Sequence, residues 1–92
     1  MSEDVIRKHC VVQGKVQGVF FRDSTREVAE RHGVRGWVRN RSDGAVEAVL
    51  EGTHGAVDAV VRFFSEGPDR AQVRDVDVRD EEPEGLSSFE VR

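Results

Sequence analysis

The chain has 92 residues, of which 35% are charged, and its formal net charge is −4 at pH 7. A chain of this length supports one modest hydrophobic core, so we expect residues 1–92 to form a single domain. The acidic balance argues against nucleic acid as a partner, because binding to a phosphate backbone needs a basic face.

Cysteine content and hydropathy indicate a protein of the cytoplasm. Cys10 is the only cysteine, so an internal disulfide is impossible and a reducing compartment is favoured. The N-terminal residues contain no apolar signal core, and no stretch of the sequence approaches the length of a membrane span. We therefore expect no membrane association, and nothing in the sequence requires more than a monomer.

The first part of the chain predicts a strand followed by a helix. Residues Val5 to Val12 are rich in β-branched types and carry apolar side chains on both faces, which is typical of a central strand. Residues Arg22 to His32 predict a helix, and Gly33 follows as a natural C-terminal glycine. The expected core stripe of this helix consists of Phe21, Thr25, Val28, Ala29 and His32.

A hairpin and a second helix are predicted next. Val34 to Asn40 and Ala45 to Leu50 read as two strands, and the Asp-Gly pair within residues 41–44 favours a tight turn between them. Thr53 is a plausible N-cap for the helix, and Gly67 with the following proline ends it. One clean apolar face is formed by Val57, Val60, Val61 and Phe64.

The last part of the chain predicts two further strands. Val73 to Val78 form the first, with a bend or bulge because Val73 is out of phase with the later valines. Asp80 to Gly85 read as a solvated acidic loop, and Phe89 with Val91 predicts a short final strand. The order β-α-β-β-α-β plus a terminal strand predicts an α+β, ferredoxin-like sandwich, with two helices on one face of a mainly antiparallel sheet.

The segment from Gly14 to Arg22 leads from the first strand into the first helix and has features of an anion-binding loop. Successive backbone N–H groups in such a turn converge on one point, and the helix N-terminus adds positive potential. Gly18 permits the tight backbone that this requires, and the planar guanidinium of Arg22 matches two phosphate oxygens. By themselves these features are equally compatible with an ordinary strand-helix loop and a surface arginine.

Two motifs resemble the signatures of the acylphosphatase family. The string Gly14-Lys15-Val16-Gln17-Gly18-Val19-Phe20-Phe21-Arg22 resembles the pattern Gly-x-Val-Gln-Gly-Val-x-Phe-Arg. A second stretch, Gly36-Trp37-Val38-Arg39-Asn40 followed by Gly44, Val46 and Gly52, is similar to the other signature of the family. The resemblance covers essentially the whole chain and implies the same ferredoxin-like fold.

The resemblance implies an enzyme that hydrolyses the carboxyl-phosphate bond of a small acyl phosphate to a carboxylate and inorganic phosphate, with no metal and no cofactor. It implies that Arg22 binds the phosphate and that Asn40 positions the attacking water, so these are the expected catalytic residues. Arg41 stands where many members have a threonine, which leaves a hydroxyl contribution there in doubt. The expected phosphate-binding residues, acting mainly through their backbone, are Lys15, Val16, Gln17, Gly18, Val19, Phe20, Phe21 and Arg22.

Two alternatives remain open at the level of sequence. A phosphate-sensing or RNA-binding module could share this fold, although a pure binder has no need for Asn40 to orient water. The chain could also be an acylphosphatase-like segment of a larger hydrogenase-maturation protein. Because the chain starts at Met1 and reaches the end of its last predicted strand, a stand-alone protein is the simpler expectation.

Overall fold

The computed structural model describes residues 4–92. This part of the chain contains two helices and five strands. In chain order these are β1 (Val5–Lys15), α1 (Phe21–Arg31), β2 (Arg35–Asn40), β3 (Val46–Thr53), α2 (His54–Glu66), β4 (Gln72–Glu81) and β5 (Phe89–Val91). The predicted α+β, ferredoxin-like order is thereby confirmed. No helix in this described part is long and apolar enough to cross a membrane.

The strands form one sheet in the order β4-β1-β3-β2-β5. Strand β1 pairs antiparallel with both β3 and β4, which confirms the central position predicted from its two apolar faces. Strand β5 adds to the edge, parallel to β2. Val12 lies opposite Val46, and Val46 lies opposite Asn40. This register brings the loop after β1 and the turn after β2 to the same end of the sheet.

Both helices cover one face of this sheet and enclose the core. Cys10 and Leu50 face the helices from the two central strands, and both are completely buried. Phe21 of α1 stacks on Phe64 of α2 with ring centroids 5.8 Å apart. A fully buried Phe side chain contributes roughly 1.5–3 kcal/mol by removal from water. The packing of Phe21 therefore fixes the beginning of α1 against the core.

The boundary between β1 and its loop differs from the prediction. Strand β1 continues past Val12 to Lys15 because it keeps pairing with β4 beyond the predicted end. Gln13 lies opposite Asp75 and Gly14 lies opposite Val73, so one residue of β4, Arg74, is left over at this point. The bulge predicted from the phase of Val73 is confirmed.

The prediction of an acidic loop over residues 80–85 is wrong for its first two residues, which belong to β4. Lys8 Nζ lies 2.7 Å from an oxygen of Asp80, and Arg7 Nε lies 2.8 Å from an oxygen of Glu81. These cross-strand ion pairs prolong β4 into a segment whose composition alone favours a solvated loop.

The prediction that His32 belongs to the core stripe of α1 is also wrong, because the helix ends at Arg31 and His32 is exposed. The N–H group of Val34 donates to the carbonyl of Ala29 at 2.8 Å, which is the closing bond of a Schellman motif. Val34, only 2% exposed, belongs to the core directly after this turn.

Candidate active site

The loop between β1 and α1 is anchored by buried side chains on both sides. Val16 and Val19 are buried within it, and Phe21 packs in the core directly after it. Phe20 lies between these anchors, is 74% exposed, and adopts a left-handed backbone with φ of 62°. This conformation costs a non-glycine residue about 1–2 kcal/mol, so it persists only where neighbours determine it. The anchors therefore hold the loop in one defined shape.

The start of α1 leaves backbone donors available to a ligand. Phe20 occupies the N-cap position, and its ring carries no hydrogen-bond acceptor. The first intrahelical bond runs from the Ser24 N–H to the Phe20 carbonyl at 3.0 Å. Because the first N–H groups of any helix have no partner within it, the amides of residues 21–23 can bind an anion, and the helix dipole favours one.

A pocket of about 290 Å³ opens where this loop, the start of α1 and the end of β2 meet. Arg22 and Asn40, the two residues expected to be catalytic, share this pocket although they lie on different elements. Asp23, which was not among the expected site residues, also lines it. The lining residues are Val16, Gly18, Phe20, Phe21, Arg22, Asp23 and Asn40.

Three members of the expected phosphate-binding set lie outside the pocket lining. Lys15 is exposed and Val19 is buried in the core. The Gln17 side chain reaches the turn between β2 and β3, where it donates to the carbonyls of Arg41 and Ala45. The expected cradle concerns backbone N–H groups, so these side-chain positions neither add to it nor contradict it.

The Arg22 guanidinium is oriented by the far end of the chain. Its Nη1 donates to the main-chain oxygen of Arg92 at 2.8 Å. The Arg92 N–H in turn donates to the Val38 carbonyl of β2 at 2.8 Å, which fixes that acceptor against the sheet. One N–H group of Arg22 is thus used for orientation, and the remaining donors are available to a ligand.

Asn40 is held in place by a tight turn directly after it. The Arg41 N–H donates to the Ala45 carbonyl at 2.8 Å. Asp43 accepts from the Ala45 N–H at 3.1 Å and from the Arg41 guanidinium at 2.9 Å. The Ala45 amide, aided by Arg41, holds the pKa of the Asp43 carboxyl below its usual range, so this carboxyl stays ionised near neutral pH and keeps the turn closed.

The nucleophilic side chain of Cys10 lies in the core, away from the pocket. Burial raises the pKa of the Cys10 thiol to about 12, so no reactive thiolate forms near neutral pH. Among residues 4–92 no group of three or more His, Cys, Asp or Glu side chains is arranged to hold a metal ion. The chemistry available in the pocket is therefore that of arginine, backbone N–H groups, an amide side chain and the Asp23 carboxylate.

The fold and the pocket define a class of protein: a small α+β sandwich whose first loop and first helix offer donors to an anion beside an asparagine. A family model described as Acylphosphatase matches residues 8–91. The acylphosphatase of Rubrobacter xylanophilus is 60% identical over 87 residues, which are 94% of this chain and 79% of that protein. The acylphosphatase of Haloarcula marismortui is 56% identical over 86 residues, which are 94% of each chain.

Solved structures agree with the sequence comparison. The structure of an acylphosphatase from Coxiella burnetii superposes with a TM-score of 0.93 at 40% identity, covering 97% of this chain and 94% of that chain. The chain therefore belongs to the acylphosphatase family, whose members are hydrolases that act on acyl phosphates.

Proposed function

We propose that this protein hydrolyses the carboxyl-phosphate bond of a small acyl phosphate in the pocket that Arg22 and Asn40 share. The observation that carries the proposal is that both side chains line one pocket together with the loop and the first turn of α1. Membership of the acylphosphatase family supports the same reaction.

The phosphoryl group binds to backbone N–H groups of residues 15–21 and to the guanidinium of Arg22. In strand-to-helix turns of this kind successive amides converge on one anion, and the N–H groups at the start of α1, which receive no side-chain cap, add to them. Arg22 offers a planar pair of donors to two phosphoryl oxygens. Its bond to the main-chain oxygen of Arg92 holds this fork in position before the substrate arrives.

Asn40 positions the attacking water through its side-chain amide. The water oxygen forms the new bond to phosphorus, the bond between phosphorus and the acyl oxygen breaks, and the acyl group leaves as a carboxylate. The proton of the water passes to a phosphoryl oxygen. A carboxylate is a weak base and departs without a general acid, so positioning and charge stabilisation suffice, and neither a metal nor a cofactor is needed.

Incubation of the purified protein with acetyl phosphate or benzoyl phosphate in the presence of EDTA tests the proposal. We expect release of inorganic phosphate well above the uncatalysed rate. Asn40→Ala prepared in the same way is the control for contaminating phosphatases. Phosphate release no faster than the uncatalysed rate would refute the function, and loss of activity on adding EDTA would refute its independence from metal.

We further propose that the protein works as a monomer in the cytoplasm. One chain supplies both Arg22 and Asn40 to the pocket, so a second copy is not needed to complete it. A single buried cysteine suits a reducing compartment. Size-exclusion chromatography with light scattering on the active protein checks the first point, since an active species of twice the chain mass would contradict it.

A further inference from the structure

We propose that Gln17 is a positioning residue: its side chain sets the place of Asn40 relative to the phosphate loop. The proposal rests on the function proposed above and adds a residue to it that touches neither substrate nor water. Gln17 was expected only as part of the backbone cradle, whereas its half-buried side chain extends to the turn that follows Asn40.

Two hydrogen bonds define this contact. The Gln17 Nε2 lies 2.8 Å from the carbonyl oxygen of Arg41 and 2.9 Å from that of Ala45. Both partners are acceptors only, so the side-chain amide must present its NH2 group to them, and both of its hydrogens are used. A carboxylate of the same shape has no hydrogen to donate and would be repelled by both carbonyls.

The turn does not depend on Gln17 for its own closure. The Arg41 carbonyl also accepts from the Gly44 N–H at 3.3 Å, and the Ala45 carbonyl also accepts from the Arg41 N–H at 2.8 Å. Each carbonyl oxygen can accept two hydrogen bonds, and the second one at both oxygens comes from the Gln17 side chain. Removing the Gln17 amide therefore leaves a folded turn but unlinks it from the loop.

The link joins the two segments that carry the proposed chemistry. Gln17 lies within the loop whose backbone would hold the phosphoryl group, and Arg41 is covalently attached to Asn40, the residue that would hold water. Each hydrogen bond between neutral groups contributes little to stability. A displacement of about 1 Å between reacting groups, however, can slow a reaction by up to ~100-fold. Gln17 therefore matters more for the rate than for the fold.

The test measures kcat, KM and the inhibition constant of inorganic phosphate for Gln17→Met and Gln17→Glu. Gln72→Met, at an exposed position of β4, is the matched control. We expect Gln17→Met to lower kcat about tenfold, with the inhibition constant of phosphate changed less than about twofold, because the loop amides and Arg22 remain in place. Gln17→Glu should lower kcat further, and Gln72→Met should behave like the wild type.

Several outcomes would overturn the positioning role. If phosphate binding weakened as much as kcat fell, Gln17 would belong to the phosphate site instead. If kcat were unchanged, or if both variants failed to fold by circular dichroism, the side chain would have no positioning role. A wild type without acyl phosphate hydrolysis would remove the proposed function together with this one, whereas an active wild type with unaffected Gln17 variants would remove only the role of Gln17.

Discussion

Arg22 and Asn40 reach one pocket from different elements and contribute different donors to it. Arg22 sits in the first turn of α1 and is oriented by the main-chain oxygen of Arg92, while Asn40 ends β2. A guanidinium carries positive charge and suits the phosphoryl oxygens, whereas a neutral amide can orient a water without holding a proton. Substitutions of the two residues should therefore have different effects on phosphate binding and on the rate.

Alanine at each position should produce different kinetic defects. We expect Arg22→Ala to raise the inhibition constant of phosphate by ~10-fold or more and to lower kcat, since a charge-assisted contact is lost. Asn40→Ala should reduce kcat by ~100-fold or more while phosphate inhibition stays near the wild-type value. Steady-state kinetics with phosphate as a product inhibitor measures both.

Arg26→Ala, on the exposed side of α1, is the control for loss of a positive charge near the helix start. Unchanged phosphate inhibition in Arg22→Ala would show that the phosphate is held elsewhere. Weakened phosphate inhibition in Asn40→Ala would show that Asn40 contacts the phosphoryl group and not water alone.

Strand β2 carries Asn40 to the pocket, and its position depends on close contact with its neighbour β3 at Gly36. A Cβ atom at Gly36 would lie 1.8 Å from the Val49 carbonyl oxygen, and the residue has φ of +143°. Only glycine satisfies both conditions. At Gly33, before the strand, φ is +72°, but beyond its chain neighbours no atom of residues 4–92 lies within 4 Å of the place that a Cβ atom would take.

This difference predicts unequal effects of two Gly→Ala substitutions. Gly33→Ala should lower the free energy of unfolding by about 1–2 kcal/mol, the cost of a left-handed alanine. Gly36→Ala should cost more, ~4 kcal/mol or above, since the backbone of β2 must also move away from Val49. Urea denaturation followed by circular dichroism gives both values, and equal losses would contradict the close approach of β2 to β3.

Across the whole molecule, the completely buried carboxylate of Glu51 connects parts of the chain that are distant in sequence. From β3 it accepts a hydrogen bond from the Arg7 guanidinium of β1 at 2.8 Å. It also accepts from the N–H groups of Glu84, Gly85 and Leu86 at 2.8, 3.1 and 3.0 Å, in the segment that leads to β5. We call Glu51 with its bonds to Arg7 and to the amides of residues 84–86 the Glu51 clamp. Because β5 continues into Arg92, this clamp supports the segment that orients Arg22.

The clamp predicts a pH-dependent stability. Burial opposes ionisation of Glu51, but the Glu84 amide, the Arg7 guanidinium and the other two amides outweigh it and lower the pKa of this carboxyl to about 2. Its stabilising contribution, about 3 kcal/mol, is complete above about pH 4.5, where the unfolded chain is also ionised, and is lost as the pH falls towards 2.

Glu51→Gln should therefore unfold more easily than the wild type near neutral pH, and the difference between them should shrink in acid. Urea unfolding at about pH 7 and about pH 2.5 measures it. Glu82→Gln, at an exposed position of the same segment, is the control and should match the wild type at both values. An equal difference between Glu51→Gln and the wild type at both pH values would contradict the charge-based clamp.

Hydrophobic periodicity, together with capping and turn residues, was enough to predict that each strand and helix of residues 4–92 exists, because the repeat of apolar side chains reflects which face of each element is buried. The valines and phenylalanine of α2 and the phase change at Val73 are local signals of this kind. Errors arose where distant partners changed a local outcome, as at Asp80, whose pairing with Lys8 extends β4. Local composition contains no information about such a partner.

For the candidate site, too, some features could be predicted from the sequence and others depend on the tertiary structure. The residue types in the Gly14–Arg22 segment are compatible, from the sequence alone, with a loop that holds phosphate. The resemblance of both motifs to the acylphosphatase family is what implies that Asn40 orients a water. Only the register of β1, β3 and β2 decides that these segments share one end of the sheet, since strand pairing aligns residues far apart in the chain. The contacts of Gln17 with the turn, of Arg22 with Arg92 and of Glu51 with its clamp follow from that pairing, so tertiary structure alone determines them.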